Sequence, residues 1–86
     1  MKFCIEYIAT KARPAYVFAR QLVPGDFALH QSPCLGDVPI RQSVTQPRAL
    51  TPQGDPDLTI FAFTLVTAND LSKFSVGQVV ELSNAS

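Results

Sequence analysis

The stretch Thr59–Leu82 reads TIFAFTLVTANDLSKFSVGQVVEL. Its two apolar runs, rich in Phe, Ile and Val, flank a polar segment, and each is shorter than a helix needs. Runs of that length and composition are those of two strands in a buried sheet. Leu58–Thr67 is the strongest strand signal in the chain and Val76–Leu82 the last one. Ala68–Phe74 between them suits a turn or a single helical turn, with Thr67 or Asn69 as its N-cap.

Working back toward the N-terminus, Lys2–Ala9 alternates, with Phe3, Ile5 and Tyr7 on one face and Cys4, Glu6 and Ile8 on the other. Ala15–Val23 places Tyr16, Phe18 and Leu22 in phase, with Arg20 breaking the pattern. Its aromatic and β-branched residues, and a proline at each end, favour a strand over a helix. Pro24-Gly25-Asp26 has the chemistry of a turn, since proline presets φ and glycine accepts a positive one. Phe27–His30 reads as a short strand, Ser32–Pro39 as a turn region, and Ile40–Leu50 as a strand that Pro47 confines to an edge or an end. Thr51–Asp57 (TPQGDPD) is the clearest loop.

Short strands at spacings of about ten residues, with turn signals between them, predict an all-β fold. The expected form is one six- or seven-stranded antiparallel barrel over residues 1–82, followed by a flexible tail over 83–86. Its core is expected from Phe3, Ile5, Tyr16, Phe18, Leu22, Phe27, Leu29, Ile60, Phe61 or Phe63, Leu65, Val76, Val79 and Leu82. Eighty-six residues are too few for two cores, and 47% hydrophobic against 16% charged residues is a globular composition. A domain of this size has roughly 5 kcal/mol of stability, which suits a monomer or a weak homodimer.

Net charge is zero, yet residues 1–50 carry six basic and three acidic side chains, while residues 51–86 carry one basic and four acidic. A general nucleic-acid binder shows a basic excess that this chain lacks. Lys11, Arg13, Arg20, Arg41 and Arg48 are the candidates for an anion or RNA contact, should the strands bring them together. Tyr7, Tyr16 and Phe18 could stack bases, although core packing is the commoner use of aromatics at strand period.

Cys4 and Cys34 have no partners at zinc-ligand spacing, no cofactor is indicated, and His30 with Ser32 and Cys34 lacks an orienting third group for nucleophilic catalysis. Asp55 and Asp57 lack the register of a calcium loop. A non-enzymatic binding or accessory module is therefore expected. It would use an exposed sheet edge or barrel face, with the Pro47-containing segment and the loop 51–57, which holds Pro52, Gly54, Asp55 and Asp57, as its contact surface, because loops on a rigid scaffold carry most recognition. No run approaches the ~18 apolar residues of a membrane span, and no secretory leader pattern follows Met1. The expected compartment is the cytoplasm, with both thiols reduced.

Three groups of residues occur in a further telling order: Val17, Arg20 and Gly25; Gly36-Asp37 with Pro39-Ile40; then Leu65, the Asp70-Leu71 turn and Phe74 to Val80 with Gly77 within it. In this the chain resembles the β-barrel that forms the second domain of translational GTPases such as elongation factor Tu. The resemblance implies a translation-protein-like barrel and, as the alternative to a protein partner, contact with RNA or the ribosome. It does not extend to GTP hydrolysis, because no G-x-x-x-x-G-K-[ST] is present, and the proline-rich loop at 51–57 is longer than that family's.

Overall fold

Strands form where short apolar runs are bounded by proline or glycine. In the computed structural model, which describes residues 1–84, they are β1 (Lys2–Ala9), β2 (Tyr16–Gln21), β3 (Pro33–Leu35), β4 (Val38–Thr45), β5 (Ile60–Leu65) and β6 (Val79–Asn84). All pairings are antiparallel, and the ladder closes in the order β1-β2-β5-β4-β3-β6, with β6 returning to β1. The fold is an all-β, six-stranded closed barrel with one short 3-10 turn at Ala68–Lys73.

Closure puts one face of every strand inside. Phe3 and Ile5 point in from β1, Val17 and Ala19 from β2, Leu35 from β3, Val38 and Ile40 from β4, Phe63 and Leu65 from β5, Val80 and Leu82 from β6. Phe74, just after the 3-10 turn, joins them. Phe3 is the hub, meeting Phe63, Phe27 and Phe61 edge-on at ring-centroid distances of 5.1, 5.3 and 6.1 Å. That edge-to-face arrangement is the one aromatic quadrupoles prefer. Ala19, opposite Ile5 on one side and Phe61 on the other, leaves the volume these large groups need.

Several expectations are corrected. Tyr16 and Phe18 lie outside, because they share a strand face with Arg20; turning them inward would bury its guanidinium in an apolar barrel. The same reasoning governs β6, where Val79 shares its face with Glu81 and is 55% exposed while Val80 and Leu82 are buried. Leu22 and Val76 lie beyond strand ends and are exposed. Phe27 and Leu29 do pack on the core, but the strand expected at 27–30 does not form. That segment is held by side chains instead: the His30 backbone N–H donates to Asn84 Oδ1 at 2.9 Å, and Gln42 Nε2 donates to the His30 carbonyl at 2.8 Å.

Conversely, the turn region 32–39 contains β3, three residues long and paired on both sides. Pro33 is tolerated because it opens the strand. β4 ends at Thr45, two residues before Pro47, and leads into the loop. β6 runs on through Ser83 and Asn84, which pair with Cys34 and Pro33, so these two belong to the barrel rather than to a tail. The remainder of the expected tail, residues 85 and 86, lies outside the described residues.

Candidate functional site

The segment 46–58 leaves β4 and returns to β5. Prolines at 47, 52 and 56 deny it ladder donors, yet it is ordered as a small flap. Leu50 and Pro56 form an isolated bridge. The Thr51 N–H donates to the Asp55 carbonyl at 2.7 Å, Gly54 N–H to the Thr51 carbonyl at 2.9 Å, and Asp57 N–H to the Ala49 carbonyl at 2.9 Å. Gln46 Nε2 closes the base by donating to the Leu58 carbonyl at 2.8 Å.

The two limbs of the flap enclose a cleft of about 540 Å³, lined chiefly by Pro47, Ala49, Leu50, Pro56 and Leu58 with Arg48 and Asp57 among its polar groups. Leu50 and Leu58 are 70% and 68% exposed. The loop expectation named Pro52, Gly54, Asp55 and Asp57. Of these only Asp57 lines the cleft. Pro52, Gly54 and Asp55 form the exposed tip, and Gly54 has φ +89°, a conformation for which glycine is suited. Of the cleft's apolar walls, Pro47 and Pro56 fall within the segments expected as the contact surface; Leu50 and Leu58 were not singled out there, although their bracketing of a run of prolines and aspartates is a signal for them.

Asp57 is a structural anchor. Arg20 Nη1 donates to Asp57 Oδ2 at 2.7 Å and to Thr59 Oγ1 at 2.7 Å, while Nε and Nη2 clasp both oxygens of Glu6. Thr59 returns two bonds to Asp57 Oδ1, from its N–H at 3.0 Å and its hydroxyl at 2.7 Å. The Arg20 guanidinium, with help from Thr59, holds the Asp57 carboxyl down at about 2. Hydrogen bonds from Arg20 to Glu6 and then to Asp57 raise the Arg20 pKa above its ordinary value.

The five candidate cations do not converge. Lys11 and Arg13 sit in the β1–β2 loop, where Arg13 Nη1 donates to the Ala12 carbonyl at 3.3 Å. Arg20 is four residues along β2 from Tyr16, roughly 13 Å at strand rise, and its charge is met by Glu6 and Asp57. Arg48 is on the flap beside that anchor, and Arg41 is on β4, with β5 between it and the β1–β2 loop.

His30 and Ser32 are exposed on the segment before β3, and Cys34 Sγ contacts the Ser32 carbonyl at 3.9 Å. Cys4 and Cys34 are free and flank β6 on opposite sides, opposite Val79 and Ser83 respectively. A second cleft of about 510 Å³, at the β3–β4 turn, mixes Asp37 and Glu81 with Lys73 over the edge of the core. Among the described residues no three His, Cys, Asp or Glu side chains cluster as metal ligands, and no helix is long and apolar enough to cross a membrane. No protein-family model, curated protein or solved structure matches the chain.

Proposed function

We propose that this barrel is a non-enzymatic binding module that takes a partner protein into the cleft formed by the 46–58 flap. The observation that carries this reading is the pair Leu50 and Leu58. Both are large, apolar and about 70% exposed on the wall of one apolar cleft, on a flap that Arg20 and Gln46 hold against the barrel. Exposed apolar groups gathered at one concavity are the usual mark of a contact surface, and a pre-ordered loop lowers the entropy cost of binding. A sheet-edge contact is not part of this reading, since the ladder closes on itself.

A cytoplasmic setting, with both thiols reduced, belongs to the same proposal. The test is affinity capture from lysate at about 50 and 200 mM salt, with and without ribonuclease, using the wild-type chain and the Leu50→Asp and Leu58→Asp variants. Retention of one protein partner under all four conditions, lost in both folded variants, is the expected outcome. Capture abolished by ribonuclease and by salt would replace this reading with the RNA alternative. Capture unchanged in both variants would remove the cleft from the interface.

A further inference from the structure

The outer face of β1 and β2 carries three aromatic rings that the barrel interior does not use. A bulge at Glu6 shifts the register between Ile5 and Tyr7, so that Tyr7 stands opposite Phe18. Tyr16 follows two residues along β2 on the same face. Tyr7 and Phe18 are 5.4 Å apart between ring centroids, Tyr16 and Phe18 5.4 Å, and Tyr7 and Tyr16 6.5 Å. Tyr7 is 50% exposed, and the other two rings are half-buried. The next strand adds only small side chains beside them, with Thr64 opposite Tyr16 and Ala62 opposite Phe18.

The charges around this face have one open sign. Glu6, the acid beside the rings, is spent on Arg20. Lys11 and Arg13, in the loop that joins β1 to β2 at the Tyr16 end, have no ion-pair partner among the described residues. We infer that this face is a stacking platform for unpaired bases of a single-stranded nucleic acid, with Lys11 and Arg13 receiving two of its phosphates. Rings supply sequence-tolerant stacking and the two cations supply backbone attraction, the combination such sites use. The platform is distinct from the flap cleft and rests on different residues.

The probes are fluorescein-labelled ten-nucleotide oligo-dT and oligo-U, titrated with the full chain and read by fluorescence anisotropy. Two phosphates on a single strand give a log–log salt slope of about −1.4, so Kd should rise about sevenfold between 50 and 200 mM salt. Tyr7→Ala should weaken both probes by about 5- to 150-fold, the worth of one stacked base. Changing Lys11 and Arg13 together to Ala should flatten the salt slope toward zero, and Leu50→Asp should leave the oligonucleotide affinity unchanged. A hairpin duplex should bind more weakly than either single strand. Circular dichroism checks that each variant remains folded, and Phe18→Ala provides a second ring to remove. Absence of oligonucleotide binding at 50 mM salt overturns the inference, as does affinity indifferent to Tyr7→Ala and Phe18→Ala, or equal affinity for duplex. Loss of protein capture in Tyr7→Ala, with no oligonucleotide bound, would assign the face to a protein partner instead.

Discussion

Arg20 on β2 and Asp57 on the flap, 37 residues apart in the chain, meet at 2.7 Å through Nη1 and Oδ2. The same guanidinium holds Glu6 at the β1 bulge. One side chain thus ties the flap, the barrel wall and the register shift that turns Tyr7 outward.

Removing that tie should loosen the flap before it melts the barrel. Arg20→Ala gives up charge-assisted bonds that are a third exposed and therefore screened, so a cost of about 1 kcal/mol is expected. In a domain of this size that lowers Tm by roughly 4–8 °C. Faster amide exchange at Thr51, Gly54 and Asp57, relative to core strand amides, is the measurement that identifies the flap as the part released.

The flap should also be acid-sensitive in one direction only. The Asp57 carboxyl is lowered from 3.8 to about 2 in the folded chain, so its contribution is fully present above pH 4 and fades as pH falls through about 2. Exchange at the flap should rise over that window in the wild-type chain. Asp57→Asn should already be loose at neutral pH and should show no further Asp57-linked change. An unchanged flap signal in both proteins would show that the anchor does not hold it.

Inside and outside aromatics should differ sharply in cost. Phe3 is fully buried and touches three other rings, so Phe3→Ala should cost about 3–5 kcal/mol, most of the stability such a domain has. Tyr7→Ala, on the outer face, should cost under about 1 kcal/mol. Chemical denaturation of the two variants measures the difference directly.

Cys4 and Cys34 should not form an intrachain disulfide in the folded protein. With β6 between them, their Cα atoms are separated by at least two strand spacings, roughly 9–10 Å, beyond the ~7 Å a disulfide spans. Mild oxidation followed by mass spectrometry under native conditions should show two free or separately modified thiols, and an internal cross-link only after unfolding.

Gly36 turns β3 into β4 with φ +64°. A Cβ there would meet Val80 Cγ1 at 3.5 Å, an ordinary contact. Gly36→Ala should therefore cost only the left-handed backbone penalty of about 1–2 kcal/mol, visible as a lower denaturation midpoint without a change in slope.

The class of fold and most of the strands are legible in local sequence. Apolar runs such as IFAFTL are too short for a helix, and proline or glycine punctuates the intervals, so period and punctuation suffice. Strand orientation was also legible in principle. Arg20 and Glu81 each forbid burial of their own strand face, and that weight places Val17, Ala19, Val80 and Leu82 inside where hydrophobicity alone favoured Tyr16, Phe18 and Val79. Other features had no local signal. β3 is three residues long and exists because β4 and β6 pair with it on both sides. The strand expected at 27–30 yielded to bonds from His30 to Asn84 and from Gln42 to His30. The joining of Arg20 to Asp57, the wall made by Leu50 and Leu58, and the outward ring cluster all depend on contacts between residues distant in the chain. Only closing the barrel sets those distances, because hydrogen-bond register, not local propensity, decides which side chains become neighbours.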